Sequence, residues 1–171
     1  MAKGYRSTIN RQPSKLRIRV VPPATVILGS MVTALPIITD HPILPPLGLL
    51  VLLAWRLIRP GYWPVWIGFP LGLIDDIFSG QPIGSAVFLW STVFVVLDTL
   101  DRKAISRDYW QDWFIASIAI TFVLVGGMLI VDFPRNLLFL DALIPQILFS
   151  ILLYPFIARL VGAIDNWRVS T

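Results

Sequence analysis

Long apolar runs, broken by short clusters of glycine, proline, aspartate and arginine, fill the chain from residue 21 to residue 160. The hydrocarbon core of a bilayer is ~30 Å thick and a helix rises about 1.5 Å per residue, so one crossing takes ~20 mainly apolar residues. On that template the pattern predicts about six transmembrane helices, over 21–39, 43–58, 62–79, 83–100, 113–131 and 138–160. The second is the shortest and carries Pro45-Pro46, so it is expected to tilt, to start at the membrane interface or to pair with the first as a hairpin. The loops are too short to form a domain of their own. The predicted organisation is a basic tail over 1–19, a single transmembrane helical domain over 20–163 and a C-terminal tail over 164–171. The fold class is all-α, a polytopic membrane protein. Pro36, Pro70, Pro145 and Pro155 fall within or near span ends, so kinked helices are expected, with neighbouring helices satisfying the carbonyls that proline leaves without a donor.

Composition strengthens this reading. Of 171 residues 56% are hydrophobic, and the mean hydropathy is +0.76. A water-soluble domain of this size could not expose so apolar a surface without aggregating. The net charge is +4, but its placement matters more than its sign. Lys and Arg next to a span are retained in the cytoplasm. Lys3, Arg6, Arg11, Lys15, Arg17 and Arg19 precede the first span, Arg56 and Arg59 join the second and third, Arg102, Lys103 and Arg107 join the fourth and fifth, and Arg159 and Arg168 close the sixth. Only Arg135 falls on the other side, so both termini are predicted to be cytoplasmic and the first span a retained anchor. Trp55, Trp63, Trp66, Trp110, Trp113 and Trp167 fall near that same side, where an indole is stable at headgroup level. Asp98, Asp101, Asp108 and Asp112, mixed with Arg102, Lys103 and Arg107, read as a solvated loop. The basic charge is thereby explained by topology and lipid, not by nucleic acid. Arg11, Lys15, Arg17 and Arg19 are candidate contacts for anionic lipid or for an acidic cytoplasmic partner.

One segment stands out: Gly72-Leu-Ile-Asp75-Asp76-Ile-Phe-Ser79-Gly80-Gln-Pro82-Ile-Gly84. A carboxylate at mid-bilayer costs ~2.5–3.5 kcal/mol, so neither aspartate is expected to face lipid. On a helix the two point about 100° apart, while Gly68, Gly72, Asp76 and Gly80 share one face at four-residue spacing. Such a stripe admits a neighbouring backbone and directs Asp76 into a helix–helix contact. Gly80-Gln-Pro82-Ile-Gly84 then breaks the helix. Gly72, Asp75, Asp76, Gly80, Pro82 and Gly84 are therefore the candidate partner-binding or cavity residues; the plainer alternative is that the pair marks the end of span three, capped by loop donors and water.

Enzymatic chemistry finds little support. The chain has no Cys and one His, all its acids are aspartates, and no phosphate-cradling glycine loop is present. Asp75-Asp76 could bind a cation, as in membrane enzymes that modify phospholipids, but lacks the further acids of a metal site. His41, a lone histidine in a short loop, makes no metal site either. No cofactor is expected.

The basic tail, the short spans and above all the Asp76, Gly80, Pro82, Gly84 pattern resemble the MreD family of rod shape-determining proteins, with Ile83 in place of the family's leucine and Ser85-Ala86-Val87 departing from its usual continuation. The resemblance implies a non-enzymatic subunit of the cell-elongation machinery in the bacterial inner membrane. It would stand beside MreC and be linked through MreC to MreB, the glycosyltransferase RodA and its transpeptidase partner. The family is similar in fold to the S components of energy-coupling-factor transporters, so a solute-binding transporter subunit is the alternative function.

Overall fold

Ten consecutive residues, Gly48 to Leu57, are buried on every side of one short helix, and the rest of the molecule is arranged around it. The computed structural model describes residues 15–33, 44–102, 108–132 and 140–169. The helices are α1 (Lys15–Thr33), α2 (Leu47–Ile58), α3 (Gly68–Ser79), α4 (Ser85–Asp101), α5 (Tyr109–Asp132) and α6 (Leu140–Val169), with a 3-10 turn, Val65–Ile67, leading into α3. Neighbours follow the order α1, α3, α4, α5, α6 and back to α1, a ring with α2 at its centre against α1, α5 and α6. A helix apolar all round has to be enclosed all round. Leu-Gly-Leu-Leu-Val-Leu-Leu-Ala-Trp is such a sequence, and Leu50, Leu52, Leu53 and Ala54 have no exposed surface at all.

The ring is different. Leu28, Phe69, Phe88, Phe114, Ile118, Leu148, Leu152 and Phe156 point outwards and are more than two-fifths exposed. Large apolar side chains displayed on most outward faces of a bundle are the surface of a protein whose solvent is lipid. The chain is thus a helical membrane protein. α5 and α6 are long and apolar enough to cross a bilayer, whereas α1 and α2 are apolar but shorter. At 12 residues α2 is about 18 Å long, so it runs inside the bundle instead of supplying a full crossing from its own length.

Prolines set several boundaries. α2 starts immediately after Pro45-Pro46, and Pro64, extended at φ −65° and ψ 150°, precedes the 3-10 turn. Pro70 lies in the first turn of α3, where the backbone N–H has no helical partner to lose. Pro22 and Pro155 lie in helix interiors, and each frees the carbonyl four residues earlier. Tyr62 Oη and Arg168 Nη1 both donate to the Ile18 carbonyl at 2.6 Å, and Trp113 Nε1 donates to that of Ile151 at 3.3 Å. For Pro155 a neighbouring helix has taken over the vacated acceptor, as expected from the sequence; Pro22, which the sequence reading did not single out, has its vacated acceptor taken by Tyr62 and by α6. Helix continuity departs from it at both ends: α1 begins at Lys15, and α6 runs on to Val169 through the stretch expected as a tail.

Candidate functional site

Asp76 lies one turn before the end of α3 and is 1% exposed. Its Oδ2 accepts the Gly84 amide at 2.7 Å, and its Oδ1 accepts the Ala86 amide at 2.8 Å and the Ser85 hydroxyl at 2.9 Å. These donors are the first turn of α4, whose N-cap, Gly84, has no side chain to offer. Asp76 therefore caps α4 from another helix, placing a full negative charge at the positive end of the α4 dipole. The glycine stripe makes this possible. A Cβ on Gly72 would come within 2.8 Å of Val87 N and Cα, and one on Gly68 within 3.2 Å of Ser91 N and Cα. Without side chains at 68 and 72, α3 lies directly on the α4 backbone, and the third residue of the stripe reaches the first turn of α4. The neighbour admitted by the stripe is thus α4 of the same chain.

The break between the two helices is a built turn. Gly80 closes α3 in the left-handed region at φ 68°, which glycine adopts without penalty. The Ser85 amide donates to the Pro82 carbonyl at 3.1 Å, and Gly84, third of those four residues, has φ 107° and ψ −12°, as a type II turn demands. Gly80 through Ile83 are exposed, with Ile83 79% accessible. Asp75 points elsewhere, since adjacent helical residues diverge. Its Oδ1 accepts the Ser30 hydroxyl of α1 at 2.6 Å, and it lies beside Gly48 of α2, where any Cβ would collide with Ser30 Oγ. The adjacent aspartates thus tie α3 to opposite neighbours, Asp75 to α1 and Asp76 to α4.

The opposite end of the bundle carries the charge. Arg56, 2% exposed, forms ion pairs with Asp101 at 2.5 Å and Asp98 at 4.0 Å and stands over the Phe94 ring. Asp98 also pairs with Arg102. The expected solvated loop is corrected here: Asp98 and Asp101 lie on the last turns of α4 and are drawn inwards by a cation that cannot stay buried alone. Asp165, likewise buried, accepts Arg59 at 2.9 Å through one oxygen and Arg168 at 2.5 Å through the other. Arg168 is stacked over Trp55 and Tyr62, 4.9 and 5.2 Å from their ring centroids. The indole positions are corrected as well. Trp66, Trp110 and Trp167 are exposed, but Trp55 and Trp63 are buried in the bundle, Trp55 bonded to Thr25 Oγ1 at 2.8 Å and Trp63 stacked on Phe94.

Of the basic candidates, Arg19 is exposed on α1, Lys15 and Arg17 begin that helix, and Arg11 lies outside the described residues, as does His41. Sequence reasoning passed over Ser30, Arg56, Asp165 and Arg168 as structural residues. For Arg56 a signal existed, an arginine inside the apolar run Leu-Ala-Trp-Arg-Leu-Ile.

No curated protein and no solved structure matches the chain. The sequence profile of the family described as rod shape-determining protein MreD matches residues 17–164, from the first turn of α1 into the last turns of α6. With that match spanning every helix, and with the Asp76, Gly80, Pro82 and Gly84 turn built as described, the chain belongs to the MreD family of rod shape-determining proteins.

Proposed function

We propose that this chain is a non-enzymatic, multi-pass subunit of the rod-shape machinery in the bacterial inner membrane, with both termini in the cytoplasm, and that it holds MreC and, through it, MreB, RodA and the transpeptidase partner of RodA. Membership of the family assigns the chain to rod-shape determination; the scaffolding role is the step proposed. The observation that carries it is the use made of the two adjacent acids. Asp76 spends both oxygens on the backbone and hydroxyl donors of α4, and Asp75 accepts from Ser30. Carboxylates used in this way position elements. What they position is the exposed turn Gly80-Gln81-Pro82-Ile83, a tip at the far end from the buried arginines and a surface for a partner outside the cytoplasm.

Gly72, Asp75, Asp76, Gly80, Pro82 and Gly84 act in this reading by shaping the tip and the α3–α4 face behind it. Lys15, Arg17 and Arg19, with Arg11, hold the opposite end to anionic lipid or an acidic partner. Co-purification of MreC with the full chain from detergent tests the reading. MreC is expected to accompany the wild-type protein and to be lost with Asp76→Leu and with Ile83→Asp. A well-expressed chain that always isolates alone, together with rod shape maintained by Asp76→Leu, overturns it.

A further inference from the structure

At the charged end, α2, α5 and α6 enclose a cavity of about 310 Å³, the size of a small-ligand site. One face of α6 forms much of its wall, with Arg159 and Asn166 about two helical turns apart and Gly162 between them. A Cβ on Gly162 would meet nothing within 4 Å, so the space between the two polar side chains stays open. Tyr154 of α6 and Tyr109 of α5 line it as well. Two carboxylates border the cavity and both are engaged, Asp165 with Arg59 and Arg168 and Asp112 in an interaction of its own. Among the described residues the Arg159 guanidinium has no ion-pair partner, and the Asn166 amide and the hydroxyls of Tyr109 and Tyr154 have no hydrogen-bond partner. Tyr154 matters most, because it is only 4% exposed and a buried hydroxyl is ordinarily hydrogen-bonded.

Each of these four groups can donate a hydrogen bond, and one of them is a cation. Guanidinium, amide and phenol donors around one space complement the oxygens of a phosphate group. An ammonium would meet no unengaged carboxylate there. The exposed indole of Trp110, next to Tyr109, marks the level of the cavity as that of lipid headgroups. Phe156 and Leu160, exposed on α6 near Arg159, offer apolar surface to acyl chains. We propose that this cavity binds the phosphate of an anionic phospholipid, its oxygens held by Arg159 and Asn166 and by the hydroxyls of Tyr109 and Tyr154. The site depends only on the chain lying in a membrane and is independent of the MreC scaffold.

Native mass spectrometry of the full chain in detergent, given equal amounts of phosphatidylglycerol and phosphatidylethanolamine, tests this, with inorganic phosphate added separately as a competitor. Retention of phosphatidylglycerol is expected to exceed that of phosphatidylethanolamine about fivefold, and inorganic phosphate should leave it unchanged. Arg159→Ala should erase the preference, and Arg159→Lys should keep part of it. Tyr154→Phe removes a hydroxyl that has no partner in the protein, so the lipid-free variant should unfold no lower than wild type while lipid retention falls severalfold. Equal retention of the two lipids by the wild-type chain, a preference that survives Arg159→Ala, a Tyr154→Phe chain that keeps the lipid, or displacement of the lipid by inorganic phosphate would overturn the proposal.

Discussion

Asp76 shows how a membrane protein accommodates a buried carboxylate. Inside lipid an isolated charge is expensive, but four donors from the start of α4 surround this one and the helix dipole adds to them. Asp76→Ala leaves the Gly84 and Ala86 amides without their acceptor. It is expected to cost about 3 kcal/mol, the sum of charged hydrogen bonds lost and donors orphaned, read as a lower unfolding temperature in detergent. Ser85→Ala removes only one of the donors and should cost about 1 kcal/mol. Gly72→Ala tests the other half of the device. A methyl group 2.8 Å from the Val87 backbone cannot be relieved by a rotamer change, so α3 and α4 must move apart. The variant should be destabilised despite alanine's higher helix propensity.

At the level of elements, helix ends are joined by residues distant in the chain. The Ile18 carbonyl, released by Pro22, is held by Tyr62 before α3 and by Arg168 near the end of α6. Pro22 in α1 and the polar residues elsewhere thus form one unit: the first removes a donor and the others replace it. Tyr62→Phe alone should cost about 1 kcal/mol, because Arg168 still donates. Combined with Arg168→Met the loss should exceed the sum of the single effects, as a double-mutant cycle on thermal unfolding would show. Arg56 supplies a second link, from α2 to the end of α4. Its replacement by Met should cost about 3–5 kcal/mol, as when one partner of a buried pair is removed, and Asp101→Leu in the same chain should restore part of that.

For the whole molecule, the contacts of the charged end bring together the starts of α1, α3 and α5 and the ends of α2, α4 and α6. Successive helices therefore alternate in direction, the arrangement that six crossings with both termini on one side require. The absence of cysteine from the sequence makes the orientation directly measurable. Ile83→Cys, on the exposed turn, is expected to react with a membrane-impermeant maleimide in intact cells. Trp110→Cys, at the arginine end, should react only after the cells are opened. The reverse pattern would invert the proposed orientation and remove the turn as a surface for a partner outside the cytoplasm.

The order of apolar runs and charges by itself determined that the chain is helical, embedded in lipid and divided into six segments, because one-dimensional hydropathy reports directly on the solvent of each segment. It also marked Asp76, Gly80, Pro82 and Gly84, since a carboxylate and helix-breaking residues stand out against an apolar background. Only the tertiary structure decided which neighbour each of these serves. The apolarity of α2 and that of α5 look alike in sequence, yet α2 is enclosed and α5 largely faces outwards, because lipid and protein interior are equally apolar and periodicity cannot tell them apart. Arg168 and Ile18 are 150 residues apart, and neither their contact nor the inward turn of Asp98 and Asp101 leaves a mark on local pattern. Long-range pairing of charges with vacated backbone groups is settled by packing, which assigns Asp76 to α4, Asp75 to α1 and the arginines of the charged end to the interior as well as to the surface.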